Sequence, residues 1–310
     1  METVCAKMKN KPTCVITGAN SGIGKATALR LAKAGARVVL ACRNESRGKA
    51  ACDYIWKNVT DPSIDLMIVD LSSMSSIIGF ADELKQKIPC LDVLIHNAAN
   101  FDHSLNRITF TRDGFETIFA TNYLGPFLLT LALMPILKKS INARLITVGS
   151  RGIELYPFTD LDLNDLNMKN KKFSVAKAYY NSKLASVMYT LELAERLPPN
   201  ITVNCVRVTN VKLSADRFNH LPWYYRYAYR AIKKPFAIQP EEMAKTYEFL
   251  ALSPEMLGKT GLYYDEKQRA VTVPKKADNS EFRHQLWHKT ESILKSFLDK
   301  EALLIGRTMS

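Results

Sequence analysis

The sequence lacks a long hydrophobic run and has no Cys-x-x-Cys pair. Its longest apolar stretch, residues 124–137, is too short to span a bilayer and contains one glycine and two prolines, so it is predicted to be a buried or interface helix. Residues 1–12 have no apolar segment, and we therefore expect no secretory signal. The six cysteines are scattered along predicted strands and helices, which favours a soluble protein of a reducing, cytoplasmic compartment.

Motifs for metal and nucleic-acid binding are also missing. His284 and His288 have helical spacing but no acid between them, so we interpret them as part of a solvated helix face and expect no metal. The net charge of +13 comes from basic residues spread over the whole chain without a nucleic-acid motif. This charge is compatible with the binding of anions. It favours a phosphorylated cofactor and allows contact with an anionic membrane surface.

The chain of 310 residues is 47% hydrophobic, which is ordinary for a globular protein with a real core. Predicted strands and helices alternate with short connections and without an internal repeat. This alternation predicts one α/β domain over residues 1–310, a Rossmann-type doubly wound parallel sheet in three α/β/α layers. Within it we expect an ordered core over about 11–297 and a tail over 298–310.

A glycine-rich turn follows the first apolar run, with the sequence Thr17-Gly18-Ala19-Asn20-Ser21-Gly22-Ile23-Gly24. A helical pattern begins directly after the turn and ends near Gly35. Glycines at the end of a parallel strand let the backbone approach a pyrophosphate, and the N–H groups of the next helix point at its charge. The turn therefore predicts a dinucleotide-binding site.

Polar residues follow three further apolar strands. Asp70 comes after 64–69, the run His96-Asn97-Ala98-Ala99 after 93–95, and Gly149-Ser150 after 145–148. Ligands of open α/β sheets bind outside the carboxyl ends of the strands. We therefore expect these residues to lie around one site.

Tyr179 and Lys183 are four residues apart in a helical pattern that continues to Leu197. This spacing puts both side chains on one helix face, where an ammonium group favours the phenolate and lowers the pKa of a tyrosine. Such a tyrosine can act as an acid or base near neutral pH. Tyr180 has Leu184 rather than a lysine one turn further on.

Together these motifs resemble the short-chain dehydrogenase/reductase superfamily over about residues 11–297. The ordered set consists of the glycine turn, Asp70, Asn97-Ala98-Ala99, Asn122, Ser150, Tyr179 and Lys183. Residues 41–43, an insertion over 160–172 and Ser182-Lys183-Leu184-Ala185 resemble its retinol dehydrogenase and WW-domain oxidoreductase branch.

The resemblance implies a role for each catalytic residue. Tyr179 would be the general acid for carbonyl reduction or the base for alcohol oxidation, and Ser150 would hydrogen-bond the substrate oxygen. Lys183 would hold the nicotinamide ribose and tune Tyr179, while Asn122 would hold a water that links Lys183 to solvent.

The second predicted strand ends without the acid that an NAD enzyme uses to bind the ribose, and Arg43 follows instead. Arg43 can pair with a 2′-phosphate, so we expect NADP(H) as cofactor. The expected cofactor-binding residues are Gly18, Asn20, Ser21, Gly22, Ile23, Gly24, Arg43, Asp70, Leu71, Asn97, Ala98, Ala99, Tyr179, Lys183 and Val211.

Three departures from the family pattern affect the pocket. The residues after the sixth strand, 207–213, lack the usual Pro-Gly, so we expect a less rigid loop at the nicotinamide. His96 and Gly149 stand where Asn and Ser are common, and we expect both to line the pocket.

The resemblance implies a substrate lid within residues 207–238, and 221–236 are rich in aromatic and basic residues. As a lid, this segment would turn Trp223, Tyr224 and Tyr227 towards an apolar pocket, with Arg226, Arg230, Lys233 and Lys234 facing outward. The same pattern is typical of a helix lying on a membrane, or of ordinary packing.

We therefore expect an NADP(H)-dependent oxidoreductase that interconverts an apolar carbonyl and its alcohol, of the retinoid, steroid, isoprenoid or xenobiotic type. The alternative is a catalytically weak NADP(H)-binding sensor or regulatory protein of the same fold, favoured by the altered loop at 208–213. The helices predicted at 124–137 and 177–197 both look more apolar than one buried face requires, so we also expect a symmetric homodimer.

Overall fold

The computed structural model describes residues 11–170, 172–213, 218–219, 223–230 and 234–297. Residues 1–10, the expected tail 298–310 and the remaining parts of the 207–238 segment lie outside the described residues.

The described strands form one eight-stranded sheet in the order β3-β2-β1-β4-β5-β6-β7-β8. All neighbouring strands are parallel except β7 and β8 at the edge. Parallel strands are covered on both faces, which is why a run such as Thr-Cys-Val-Ile-Thr in β1 is buried throughout. The predicted doubly wound fold is confirmed. The strands are β1 Thr13–Thr17, β2 Arg37–Cys42, β3 Ile64–Ile68, β4 Val93–Ile95, β5 Ala143–Ser150, β6 Ile201–Val208, β7 Tyr263–Tyr264 and β8 Ala270–Val271.

The helices cover both faces of this sheet. In chain order they are α1 Gly22–Lys33, α2 Glu45–Trp56, α3 Met74–Lys87, α4 Thr117–Phe119, α5 Gly125–Leu137, α6 Gly152–Leu155, α7 Val175–Arg196, α8 Trp223–Ala228, α9 Pro240–Leu252 and α10 Ser280–Leu294. A π-helical turn, Ala120–Leu124, joins α4 to α5. Side chains of α1, α2 and α9 build the core on one face, and those of α3, α5, α7 and α10 build the core on the other.

The predicted apolar helix at 124–137 corresponds to α5. Among the described helices, the continuous stretch Thr117–Leu137 is long and apolar enough to cross a membrane by length and composition. However, 83% of its apolar window is buried inside the protein. It therefore serves as a core helix between α3 and α7.

Helix α10 covers apolar faces of α5 and α7 for which the sequence analysis predicted no partner within the chain. The Trp287 ring is buried, with its centroid 4.7 Å from that of Phe127 and 6.0 Å from that of Tyr189. Near the end of α10, the Thr290 hydroxyl lies 2.9 Å from the Tyr123 hydroxyl. Because this apolar surface is buried within one chain, the apolarity of α5 and α7 gives no argument for a dimer.

Candidate active site

The glycine-rich turn connects β1 to α1 and is braced by the residues after β4. Gly18 has a φ of +66°, and a Cβ there would lie 2.9 Å from the Cα of Ala98. The Asn97 amide donates hydrogen bonds to the carbonyl oxygens of Thr17, at 2.9 Å, and Gly18, at 3.3 Å. The Ala98 N–H donates to the Thr17 hydroxyl at 3.1 Å. Asn97 and Ala98 therefore fix the shape of the turn.

The N-terminus of α1 is open to a ligand. A Cβ at Gly22, which has a φ of +53°, would meet no atom within 4 Å. Ser21 is the N-cap, yet its side chain makes no capping hydrogen bond, and the first turn contains no acid. Together with half-buried Asn20 and Ile23, these groups leave backbone N–H groups available for a phosphate. Gly24 is needed for close packing, because a Cβ there would collide with Asn97 and Gly18.

Arg43 lies at the carboxyl end of β2, next in the sheet to β1 and the glycine turn. Its side chain is exposed, and no carboxylate of the described residues forms an ion pair with it. Asn44 caps α2 by accepting a hydrogen bond from the Arg47 N–H at 2.9 Å. The guanidinium is thus placed beside the turn with its donors available for an anion.

Asp70 is held by its own turn at the end of β3. One carboxylate oxygen accepts hydrogen bonds from the Ser72 N–H, at 2.9 Å, and the Ser72 hydroxyl, at 2.7 Å. The Asp70 N–H donates to the Ser76 hydroxyl at 3.0 Å. Leu71 is buried, and its carbonyl oxygen packs so closely on Gly125 that a Cβ at Gly125 would clash with it.

Tyr179 and Lys183 lie on one face of α7, as their spacing predicts. The Lys183 ammonium is 5.9 Å from the centroid of the Tyr179 ring and donates a hydrogen bond to the Val148 carbonyl at 3.0 Å. Its side chain is only 2% exposed. Burial lowers the pKa of Lys183 to about 8, because the charged form loses its hydration.

Ser150 ends β5 and is half-buried. Its hydroxyl oxygen accepts a hydrogen bond from the Gly152 N–H at 3.2 Å, which leaves the hydroxyl proton free for donation. The Tyr263 hydroxyl donates to the Ser150 carbonyl at 3.4 Å. This chain of contacts fixes both the backbone and the side chain of Ser150 at the edge of the sheet.

Comparisons with known proteins agree with this geometry. Residues 12–158 match the model of the short chain dehydrogenase family. Retinol dehydrogenase 14 of Mus musculus is 36% identical over 290 residues, which cover 90% of this chain and 84% of that protein. The chain belongs to the short-chain dehydrogenase/reductase superfamily.

Two further relatives define the branch and the fold. The WW domain-containing oxidoreductase of Homo sapiens is 33% identical over 296 residues, 93% of this chain and 69% of that protein. The predicted retinol dehydrogenase-like branch is thereby confirmed. A solved short chain dehydrogenase from Shigella flexneri, complexed with NADP, has a TM-score of 0.66 at 23% identity and covers 83% of this chain and 98% of that chain. At that identity the likeness shows the fold alone.

Asn122 lies in the π-helical turn, and its side chain links this turn to Asn100 and to Ser182 on α7. Its Oδ1 accepts from the Asn100 N–H at 2.6 Å, and its Nδ2 donates to the Asn100 carbonyl and to the Ser182 hydroxyl, each at 3.0 Å. Both N–H bonds of the amide are therefore used. The Asn122 backbone carbonyl already accepts a hydrogen bond from the Ser186 hydroxyl at 3.3 Å, so the expected water could bind Asn122 only through remaining lone pairs of its two oxygens.

Two departures of this chain from the family pattern are explained by the packing around them. Gly149 is needed because a Cβ there would come within 2.9 Å of the Tyr263 ring. His96 is 4% exposed, so the expectation that it lines the pocket is wrong. Its Nε2 lies 2.7 Å from the Thr130 hydroxyl, and burial and the nearby Lys183 lower the pKa of His96 to about 3.

The loop after β6 is tied down without Pro-Gly. Val211 forms a parallel bridge with Ile238. The Lys212 N–H donates to the Ile238 carbonyl at 2.9 Å, and the Ile238 N–H donates to the Asn210 carbonyl at 3.0 Å. The expectation of a less rigid loop is therefore wrong for residues 210–212, because these hydrogen bonds replace the missing restraint.

The predicted lid segment is described only in part, and the side chain of Tyr224 and the whole of Lys233 lie outside the described residues. Trp223 and Tyr227 are 75% and 76% exposed, so the expectation that they turn towards an apolar pocket is wrong. They face solvent from α8, while Tyr229 is buried and its hydroxyl accepts from the Leu213 N–H at 2.9 Å. Arg230 is exposed as expected.

Sequence reasoning missed an aromatic cluster beside Tyr179. The Phe101 ring stacks on the Tyr179 ring with centroids 3.8 Å apart and planes 7° apart. The Tyr180 ring meets the edge of the Tyr179 ring at 5.3 Å, packs over Gly152 and stacks on Tyr156 at 4.8 Å. The only signal for Phe101 was an aromatic residue directly after Asn97-Ala98-Ala99-Asn100.

Proposed function

We propose that this protein is an NADP(H)-dependent oxidoreductase that interconverts an apolar carbonyl and its alcohol. The observation that carries this proposal is the burial of Lys183. Its ammonium lies near the carboxyl edge of the sheet, 5.9 Å from the centroid of the Tyr179 ring. No carboxylate of the described residues pairs with Lys183, and its ammonium donates a hydrogen bond to the Val148 carbonyl. A buried charge without an ionic partner is costly, and such perturbed groups cluster at functional sites.

The cofactor site is supported by the donor set and by the space it leaves. The open N-terminus of α1 at Ser21 and Gly22 suits the pyrophosphate. Arg43 suits the 2′-phosphate of NADP(H), because a guanidinium forms charge-assisted hydrogen bonds with phosphate oxygens. Lys183 would hold the nicotinamide ribose, and the tethered loop at Val211 would border the nicotinamide.

The proton chemistry rests on three side chains. The Ser150 hydroxyl donates a hydrogen bond to the substrate oxygen and stabilises the charge that develops there. Tyr179 donates a proton to the same oxygen in reduction, or removes it in oxidation. The Lys183 ammonium favours the phenolate form of Tyr179 after the transfer. When bound, a nicotinamide cofactor supplies or accepts the hydride.

The apolar character of the substrate is supported by the side chains around Tyr179. Phe101, Tyr156 and Tyr180 form a continuous run of rings, and Leu155 and Phe158 nearby in sequence are 78% and 67% exposed. Retinol dehydrogenase 14, named for a polyene alcohol, is a relative at 36% identity. We propose retinoid, steroid, isoprenoid or xenobiotic carbonyls as the panel for the first assay, followed by the fall in NADPH absorbance.

The alternative is a catalytically weak NADP(H)-binding sensor or regulatory protein. Its sequence argument was the altered loop after β6, and the hydrogen bonds of residues 210–212 with Ile238 weaken that argument. Tight NADPH binding without turnover of any panel member would favour the sensor over the enzyme.

Arg43 gives the first prediction. We expect the protein to bind NADPH more tightly than NADH, and Arg43→Ala to reduce this preference by about 10–100-fold, because a hydrogen bond to a charged group contributes roughly 1.5–3 kcal/mol. Dissociation constants from fluorescence titration measure it. Arg47→Ala, which removes an exposed charge one turn into α2, is the matched control and should leave the preference nearly unchanged. Equal affinities of the unmutated protein for both cofactors would contradict the assignment.

We also propose a cytoplasmic location with peripheral membrane contact. The buried thiols Cys42 and Cys205 suit a reducing compartment, whereas Cys90 is disulfide-bonded. On α8, Trp223 and Tyr227 are exposed one helical turn apart, next to basic residues, which suits an anionic lipid surface.

Vesicle binding tests the membrane contact. We expect the protein to co-sediment with vesicles that contain phosphatidylserine, and the double change Trp223→Ser with Tyr227→Ser to reduce the bound fraction several-fold, because aromatic side chains anchor a protein at the interface. Trp56→Ser, which removes another exposed tryptophan, is the control. Equal binding of all three proteins would argue against α8 as the contact.

We also propose a homodimer, although the apolar residues of α5 and α7 do not support it, because α10 covers them. Light scattering at micromolar protein tests it, since the chain has a mass of 35.0 kDa. A mass close to that value would contradict the dimer, and twice that value would support it.

A further inference from the structure

Phe101 is the residue in closest ring contact with the proposed proton donor. Its ring lies nearly parallel to that of Tyr179, with a centroid separation of 3.8 Å. His103 packs against Phe101 at 4.0 Å with a 49° tilt, and Tyr180 meets it edge-on at 6.1 Å. The phenol of Tyr179 thus has one face covered by an aromatic ring that other rings hold in turn.

The backbone at Phe101 is fixed by Asn122. The amide of Asn122 grips the N–H and the carbonyl of Asn100, the preceding residue, with bonds of 2.6 and 3.0 Å. The same amide donates to the Ser182 hydroxyl, which donates to the Tyr179 carbonyl at 2.7 Å. One side chain therefore connects the loop that carries Phe101 to the helix turn that carries Tyr179.

We infer that Phe101 is a positioning residue for Tyr179, which it holds by ring stacking in the orientation needed for proton transfer. This inference rests on the proposed function of Tyr179. The Lys183 ammonium lies 5.9 Å from the ring centroid and offers no flat surface against which the ring could stack. Stacking restricts both angles, and an error of about 1 Å in the position of a reacting group costs up to ~10²-fold in rate.

Bulk and stacking make different predictions for substitutions. A leucine at position 101 fills much of the volume but has no flat face, whereas a tyrosine keeps the ring. If Phe101 acts by stacking, Phe101→Tyr keeps the wild-type behaviour and Phe101→Leu resembles Phe101→Ala. If it only fills space, Phe101→Leu is sufficient.

The kinetic experiment compares these three variants with Phe110→Ala, which removes a phenylalanine that is 45% exposed in the same β4–α4 connection. We expect kcat to fall by roughly 10–100-fold in Phe101→Ala and Phe101→Leu. The NADPH dissociation constant should stay within about twofold of wild type, because the Phe101 ring contacts His103, Tyr179 and Tyr180 rather than the glycine turn or Arg43. Phe101→Tyr and Phe110→Ala should stay within about threefold of wild type.

A second readout does not depend on turnover. Relaxation of ¹³Cε-labelled tyrosine, with the Tyr179 signal assigned from its loss in Tyr179→Phe, measures how rigidly the ring is held. The ring order parameter should fall in Phe101→Ala and Phe101→Leu and be restored in Phe101→Tyr. A kcat of Phe101→Ala within threefold of wild type, or full rescue by leucine, would overturn the inference. If wild type reduces no carbonyl while the Tyr179 ring still loosens only in the ring-less variants, the positioning stands and the proposed function fails.

Discussion

Tyr179→Phe is expected to lower turnover by roughly 10²–10⁴-fold while the fold and NADPH binding persist. The substitution removes only the hydroxyl, so the ring keeps its stacking on Phe101 and its place on α7. Loss of a general acid costs about this factor. Steady-state reduction of the most active aldehyde, together with an NADPH titration of the same preparation, measures both quantities.

Tyr180→Phe is the matched control, since it removes the same hydroxyl from the next residue. The Tyr180 ring packs over Gly152 and stacks on Tyr156 at 4.8 Å. Its turnover should remain within a few-fold of wild type. The assignment of Tyr179 is wrong if Tyr179→Phe keeps most of the rate, or if Tyr180→Phe is the more damaging change.

Lys183→Met is expected to abolish most activity, weaken NADPH binding and change how stability depends on pH. Methionine fills a similar volume without a charge, so the fold should persist. Activity falls because the phenolate of Tyr179 loses its nearby positive charge, and affinity falls because the ribose loses a donor.

The stability effect has a definite sign. Burial lowers the pKa of Lys183 from 10.5 to about 8, so between these values the unfolded chain binds more protons than the folded chain. The free energy of unfolding of wild type should therefore rise with pH over this window, relative to Lys183→Met, by up to about 3 kcal/mol. Thermal unfolding without cofactor at pH 7.5 and at pH 10 measures it. A constant difference between the two proteins across this range would show that Lys183 is not desolvated.

The sequence was sufficient for the fold class, a doubly wound parallel sheet, and for the edge of the sheet where the site is expected; the strand order comes from the structure. A short apolar run in the sequence predicts a buried parallel strand. The residue that follows the run must then lie at the carboxyl edge of the sheet. Tyr179 and Lys183 could be paired because helical geometry fixes what four residues of spacing mean. These are local rules, and the fold they predict is the one observed.

Contacts between distant segments could not be predicted in this way. Phe101 and Tyr179 are stacked across a long stretch of chain, and nothing in the local pattern of either residue specifies the other. His96 was predicted to line the pocket because it follows a strand. Side chains along a strand alternate between the two faces of the sheet, and that of His96 lies in the core beside Thr130. Trp223 and Tyr227 face solvent on α8, and the buried aromatic residue is Tyr229, directly after the helix.

The order of synthesis gives the α10 contact a further meaning. As the ribosome extends the chain from its N-terminus, α5 and α7 emerge long before the helix that covers them, so Phe127 and Tyr189 have no Trp287 to pack against. A nascent chain that ends before Ser280 exposes this apolar surface and is a target for chaperones and for aggregation. The core beneath α7, the helix that carries Tyr179 and Lys183, is thus complete only after α10 has been synthesised.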